Sequence, residues 1–466
     1  MPLTVAIVGR PNVGKSTLFN RLAGRKIALV DDQPGVTRDR KETSGRIGDM
    51  DLTLVDTAGF EDVSDSSLEA RMRRQTELAI EAADVCLFVY DAREGVTSLD
   101  ERFGQILRRS GKPVILIANK CEGRQGDAGL MEAWRLGLGE PAALSAEHGE
   151  GMGELYEALL RVEVKLEGDA GGVSLGEGEA DDEAFDPDAE PPSVPDRPIR
   201  LAFVGRPNAG KSTLLNALLE DDRFVTGPEA GITRDSVTVS WSWRGRDIRL
   251  VDTAGLRKRS RVQDRLERMS TSETIHAIRF ADVVVLVMDL REAFEKQDLQ
   301  IANLALREGR GLVFAITKWD LAESPGDLRR ELDARAADSV PQARGSPLVT
   351  VSGETRRGLD KLMDACLKVH KDWSARVKTR DLNDWLQYVT QKHPPPAPGG
   401  RRIKPRYMAQ MKTRPPTFVL MASRAEEMPD TYRRYLINEL REAFDLPGVP
   451  IRLVLRQGKN PFAEKD

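Results

Sequence analysis

The nonapeptide Gly9-Arg-Pro-Asn-Val-Gly-Lys-Ser-Thr returns later in the chain as Gly205-Arg-Pro-Asn-Ala-Gly-Lys-Ser-Thr. Its residue types suit one task, the holding of a polyphosphate. Glycines let the main chain wrap closely around oxyanions, a lysine adds a full positive charge, and the serine after it can ligate a divalent cation. One such match is modest support, because a glycine turn followed by a surface lysine arises by chance. Two in register do not. Each also follows a short apolar run, Val5 to Val8 or Leu201 to Val204, and opens a helical pattern whose N-terminus adds partial positive charge. The expected cradles are Gly9, Asn12, Gly14, Lys15, Ser16 and Thr17, and Gly205, Asn208, Gly210, Lys211, Ser212 and Thr213.

Further residues fit a triphosphate with Mg²⁺. Asp56 and Asp252, each in Asp-Thr-Ala-Gly, end apolar strands where a carboxylate can hold the metal shell alongside Ser16 and Ser212. Gly59 and Gly255 can offer a backbone N–H to a γ-phosphate. Thr37 and Thr233 lie in loops at the right distance to complete the shell when that phosphate is present, so these loops are expected to switch with hydrolysis. Lys15, Lys211, Thr37, Thr233, Gly59 and Gly255 are therefore the expected catalytic set.

The base would be read by Asn119-Lys120-Cys121-Glu122 and by Thr317-Lys318-Trp319-Asp320. A carboxylate accepts from the N1–H and amino edge of guanine and would be left unsatisfied by adenine. Both segments depart from the usual Asn-Lys-x-Asp: Glu122 has an extra methylene, and Thr317 has a hydroxyl in place of an amide. Guanine is expected in both copies, with Ser145-Ala146 and Ser352-Gly353 as the last base-contacting loops.

These residues need elements to place them. The two cradles lie 205 − 9 = 196 residues apart, and the same offset relates Thr37 to Thr233 and Asp56 to Asp252. That is a duplicated domain, not a short-period solenoid. In each copy, short continuous apolar runs alternate with helical stretches, which predicts a mostly parallel, doubly wound α/β sheet covered on both faces. The expected domains are 1–166 and 198–373, followed by an α+β module over 374–466. The stretch from Glu167 to Asp196 has eleven acidic and no basic residues, so 167–197 reads as a flexible, self-repelling linker or as a decoy for a basic surface. The module is expected to hold a helix over Leu382 to Val389, a Pro-rich basic loop, a strand Thr417 to Met421, a helix near Thr431 to Phe444 and a strand Ile451 to Leu455.

Composition narrows the class. The 466 residues are 40% hydrophobic and 31% charged, ordinary for a soluble globular protein. No run approaches the roughly 18 apolar residues of a membrane span. The start of the chain lacks a signal peptide, and Cys86, Cys121 and Cys366 lack metal or disulfide spacing, which suits a reducing cytoplasm. The net charge of −4 hides an asymmetry, because residues from Ser374 onward carry 18 Lys plus Arg against 10 Asp plus Glu. A polyanionic partner would meet the tail first.

With these motifs placed twice, the chain resembles the bacterial tandem GTPase family called Der or EngA over essentially its whole length. The tail agrees through Tyr407-Met-Ala-Gln410, Pro415-Pro-Thr-Phe418, Tyr432-Arg-Arg-Tyr-Leu436 and Asn460-Pro-Phe462, which look like that family's KH-like domain. The resemblance implies GTP hydrolysis and a role in assembly of the large ribosomal subunit. The residue after Asp-Thr-Ala-Gly, a water-orienting Gln in Ras-type enzymes, is Phe60 and Leu256 here. Related GTPases with this apolar substitution use K⁺, held partly by the residues matching Asn12 and Asn208. The segment Trp385 to Ala425 has no acidic residue yet carries Arg401, Arg402, Lys404, Arg406, Lys412 and Arg414 around Tyr407, which suits contact with ribosomal RNA. A Gly-x-x-Gly clamp is missing from it, so docking on a neighbouring domain stands beside RNA contact. Rival readings are a P-loop phosphotransferase and a nucleotide-gated scaffold with one inactive copy. A monomer is the default.

Overall fold

The computed structural model describes residues 2–24, 42–55, 77–122, 129–130, 132–170, 197–220, 240–251 and 271–456. It divides into two compact units, Met1–Ala180 and Asp181–Asp466. The first holds one six-stranded sheet built from β1 (Leu3–Val8), β2 (Glu42–Ile47), β3 (Met50–Val55), β4 (Val85–Asp91), β5 (Val114–Asn119) and β6 (Ala142–Ala143), in the order β2-β3-β1-β4-β5-β6. Only β2 runs antiparallel, against β3. All of β4 is buried, without alternation, because both faces of a central parallel strand are covered. Helices α1 (Lys15–Ala23), α2 (Ser98–Arg109) and α3 (Met152–Ala170) belong to this unit, and α3 continues into the stretch whose composition reads as linker. Between β3 on one side and β4 on the other, β1 marks the point where strand order reverses, so the loops beyond β1 and β4 face a common crevice.

The second unit repeats this plan. Strands β7 (Ile199–Val204), β8 (Ser240–Trp243), β9 (Arg246–Leu250), β10 (Val283–Asp289), β11 (Gly311–Thr317) and β12 (Leu348–Thr350) lie in the order β8-β9-β7-β10-β11-β12, strand for strand that of the first sheet. Helices α4 (Lys211–Leu219), α5 (Thr271–Phe280), α6 (Lys296–Arg307), α7 (Pro325–Ser339) and α8 (Leu359–Trp373) accompany it. The tail adds α9 (Thr379–Lys392), a hairpin of β13 (Lys404–Thr413) and β14 (Pro416–Ser423), then α10 (Asp430–Ala443) and β15 (Arg452–Arg456), in a sheet of order β13-β14-β15.

Two features differ from the sequence reading. The second half of the basic stretch is a strand instead of a loop, because its proline, Pro405, falls on the sheet edge beside a register shift, where a missing N–H costs little. The tail's core is also continuous with that of the second domain. Leu382, Trp385, Met408, Phe418, Leu436 and Leu453 share one apolar cluster with Val283, Val313, Val369 and Trp373 of the second sheet's domain. Polar ties close the seam: Leu312 N donates to Gly448 O at 3.1 Å, and Arg441 Nη2 to Gln342 O at 3.2 Å. Among the described residues no helix is long and apolar enough to cross a membrane.

Candidate functional site

Both repeated loops run from the end of a first strand to the start of a helix. Gly9 (φ 145°) and Gly205 (φ 155°) lie so close to the next strand that a Cβ would land on the carbonyl oxygen of Val89 or of Val287. Gly14 (φ 98°) and Gly210 (φ 82°) occupy the N-cap positions of α1 and α4, and no side chain caps either helix. The first-turn N–H groups are thus presented as an anion site, with Lys15 and Lys211 as the first helical residues. Asn12 (φ 65°) and Asn208 (φ 62°) are held in the left-handed region, a strain of about 1 kcal/mol each that the surrounding loop maintains.

The ammonium groups reach over the loops. Lys15 Nζ donates to Arg10 O at 2.7 Å, and Lys211 Nζ to Gly205 O at 2.9 Å and Arg206 O at 2.7 Å. Burial, reinforced by the Arg10 charge, lowers the pKa of Lys15. The copies differ in cover: Ser16 and Thr17 are exposed, whereas Lys211 and Ser212 are 4% and 3% exposed.

Each loop is clasped from outside by an arginine that sequence reasoning passed over. Arg10 pairs with Glu94 at 2.5 Å and Asp100 at 3.3 Å, while Arg206 pairs with Glu292 at 3.3 Å and Asp298 at 3.1 Å. Asp100 and Asp298 are fully buried, and each also closes the capping box of the following helix. The signal was there, since Asp100 and Asp298 are 298 − 100 = 198 residues apart, the offset that also relates Asn119 to Thr317.

The base-reading segments lie against these loops. Lys120 (φ 65°) donates to Asp91 Oδ2 at 2.6 Å and to Asn12 O at 3.0 Å, and Lys318 (φ 57°) meets Asp289 Oδ2 at 2.7 Å. Burial would raise the Asp91 carboxyl, but hydrogen bonds from Lys120 and from Arg93 N hold it below the ordinary value; Asp289 is lowered in the same way by Arg291 N and Lys318. These strand-end aspartates were missed individually, although apolar runs ending in Asp announced them.

Asn119 donates through Nδ2 to Val13 O at 2.7 Å and accepts from Ala146 N at 2.8 Å, tying the phosphate loop to the Ser145-Ala146 loop. Thr317 manages one half of this: its hydroxyl lies 2.7 Å from Ala209 O, and among the described residues it makes no bond to the Ser352-Gly353 loop. Ser145 and Ser352 are both 1% exposed. Glu122 pairs with Arg93, whereas Asp320 stands exposed in a short 3-10 turn. Burial would raise the Glu122 carboxyl, yet hydrogen bonding from Ser145, with the Arg93 and His148 charges, lowers it.

The structure therefore gathers Gly9, Asn12, Gly14, Lys15, Asn119, Lys120, Glu122 and Ser145 at one crevice. In the second unit it gathers Gly205, Asn208, Gly210, Lys211, Thr317, Lys318 and Ser352 likewise. Thr37, Asp56, Gly59, Phe60, Thr233, Asp252, Gly255 and Leu256 lie outside the described residues, as do most of the acidic stretch and Asn460-Pro-Phe462.

Comparison with known proteins gives concordant matches. The family described as "50S ribosome-binding GTPase" matches residues 4–120 and 200–318. One described as "KH-domain-like of EngA bacterial GTPase enzymes, C-terminal" matches residues 376–456. The chain is 60% identical to "GTPase Der" of Hyphomonas neptunium over 496 aligned positions, covering 100% of this chain and 97% of that one. It is 55% identical to "GTPase Der" of Parvibaculum lavamentivorans, covering 100% and 99%. Among solved structures, a probable GTP-binding protein engB is 23% identical over 35% of this chain and 99% of its own, at a TM-score of 0.27.

Proposed function

The chain belongs to the Der (EngA) family of GTPases, and on that premise we propose that it is a GTP-controlled factor in maturation of the large ribosomal subunit. It binds guanine nucleotide and hydrolyses GTP. The observation that carries the site assignment is the twice-built junction of a phosphate loop with a base-reading segment, joined in the first copy by Lys120 bonding Asn12 O and Asp91 together.

In this reading the domains are 1–166, 198–373 and 374–466, with 167–197 as linker. Lys15 and Lys211, beside the uncapped N-termini of α1 and α4, take the β- and γ-phosphates in place of the loop carbonyls they now meet. Ser16 and Ser212, with Thr37, Asp56, Thr233 and Asp252, are the oxygen donors that would hold Mg²⁺, which supplies neutralisation of phosphate charge. The hydroxyl and carboxylate set fits that ion. Gly59 and Gly255 offer N–H groups to the γ-phosphate. Phe60 and Leu256 cannot orient water, so a cation or a partner must supply the missing charge, and Asn12 and Asn208 offer amide oxygens suited to K⁺.

The partner reading is supported by the tail. Arg401, Arg402, Lys404 and Arg406 are all exposed, make no ion pair among the described residues, and lead into or sit on the edge strand β13. Four cations without counter-charge on a sheet edge suit the RNA backbone. The work is cytoplasmic, where ribosomes are built. Sedimentation with ribosomal subunits under GDP and under a non-hydrolysable GTP analogue tests the proposal: co-migration with the large subunit must change with nucleotide, and none under either would remove the ribosome from the account.

A further inference from the structure

At the end of β4 one turn grips the base-reading segment twice. Asp91 accepts from Arg93 N at 3.0 Å through Oδ1 and from Lys120 at 2.6 Å through Oδ2, and the Arg93 guanidinium pairs with Glu122 Oε1. Asp91-x-Arg93 thus engages Lys120-x-Glu122 residue for residue. The second copy keeps only half of this. Arg291 N bonds Asp289 Oδ1 at 3.0 Å and Lys318 meets Asp289, yet Arg291 makes no ion pair with Asp320 among the described residues. The copy with the longer acid has the clasp, and the copy with aspartate lacks it.

A glutamate carries one more rotatable bond than an aspartate, so its carboxylate must be fixed before it can present both oxygens to a base. The carboxylate is also hydrogen-bonded by Ser145 of the last base-contacting loop, and the Glu122 side chain is 19% exposed.

Resting on the guanine-site reading above, we propose that Arg93 is the specificity-positioning residue of the first copy. It clamps Oε1 and so fixes the Glu122 carboxylate for the N1–H and 2-amino edge of guanine, offsetting the extra methylene. Oε1 keeps a second lone pair for the base, so the clamp and the nucleotide are compatible. The signature is a loss of discrimination, which general loosening of the loop would not produce selectively.

The test uses the full chain carrying Lys211→Ala, so that binding of a fluorescent GDP reports the first copy. Adding Arg93→Ala should weaken GDP by about fivefold, the order expected for freeing one long side chain, and reduce the preference for GDP over IDP, which lacks the 2-amino group. Glu122→Asp, whose shorter carboxylate needs no clamp, should make Arg93→Ala nearly silent. Unchanged or tighter GDP binding in Arg93→Ala, or equal losses for GDP and IDP, overturns the proposal. If Lys15→Ala in the same background leaves GDP binding intact, the site reading itself fails, a distinct result.

Discussion

Lys15 and Lys211 meet the same carbonyl of their loops at 2.7 Å, so the two copies start from equivalent charge placement despite their different cover. On the proposed reading, lysine to alanine at either removes a charge-assisted bond to phosphate, and each single change should cut GTP affinity of its own copy by on the order of 10- to 100-fold. Turnover of the full chain, measured for each variant, should fall in both; a variant that turns over GTP at the wild-type rate would mark its copy as silent. Asn119 and Thr317 should part company. Asn119→Ala leaves both Val13 O and Ala146 N without their buried partner, whereas Thr317→Ala strands chiefly Ala209 O. Asn119→Ala is expected to cost about 2 kcal/mol more than Thr317→Ala in denaturant unfolding, and equal costs would count against the two-loop tie. The types and spacing of the cradle were legible in sequence because phosphate binding needs glycine at fixed backbone positions. The pairing of Arg93 with Glu122 was not, because an ion pair joins residues brought together only by strand order.

At the scale of elements, the duplicated sheet order was legible from continuous apolar runs, while the seam between the second GTPase domain and the tail was not. Its residues are ordinary helix and strand apolars, and nothing in their periodicity says which neighbour they face. His370 sits on α8 at this seam, and burial lowers its pKa to about 4, opposed by Asp282 and assisted by Arg414, Arg197 and Arg246. An imidazole depressed from 6.5 folds neutral, so its stabilisation is whole above pH 6.5 and is lost as pH falls from there toward 4. Asp282, held far below the carboxylate range against burial by Arg200 and Arg197, does not titrate in that window. Between pH 7 and 5 the His370 contribution should fall by about 2 kcal/mol, and His370→Gln should show that much less acid sensitivity in urea midpoints. The shared core also predicts joint opening. Trp373→Ala, deleting a 1% exposed indole, should cost about 4 kcal/mol and lower hydrogen-exchange protection of β11 and β14 together; loss confined to one sheet would mean two separate cores.

Across the whole molecule, charge is divided unevenly: the tail's excess of 18 − 10 = +8 leaves −4 − 8 = −12 on the rest of the chain. Such a division orients approach to a polyanion without deciding what is gripped. Grip requires cations that are not already engaged, and elsewhere many arginines are, as with Arg200 on Asp282, Arg279 on Glu308 and Arg424 on Glu427. Arg401, Arg402, Lys404 and Arg406 are exposed, make no ion pair among the described residues and lie within six positions of one another. Each that meets a phosphate displaces a counterion, and for RNA the slope of log affinity against log salt changes by about 0.7 to 0.9 per contact. Replacing all four with glutamine should therefore flatten the slope for ribosomal RNA by about 3, while leaving GDP affinity and the unfolding midpoint near wild type, because none of the four lies in the shared core. A slope that stays the same with weakened affinity would mean that the edge strand contacts RNA without meeting phosphate. An unchanged affinity and slope would move the RNA contact to another face of the tail.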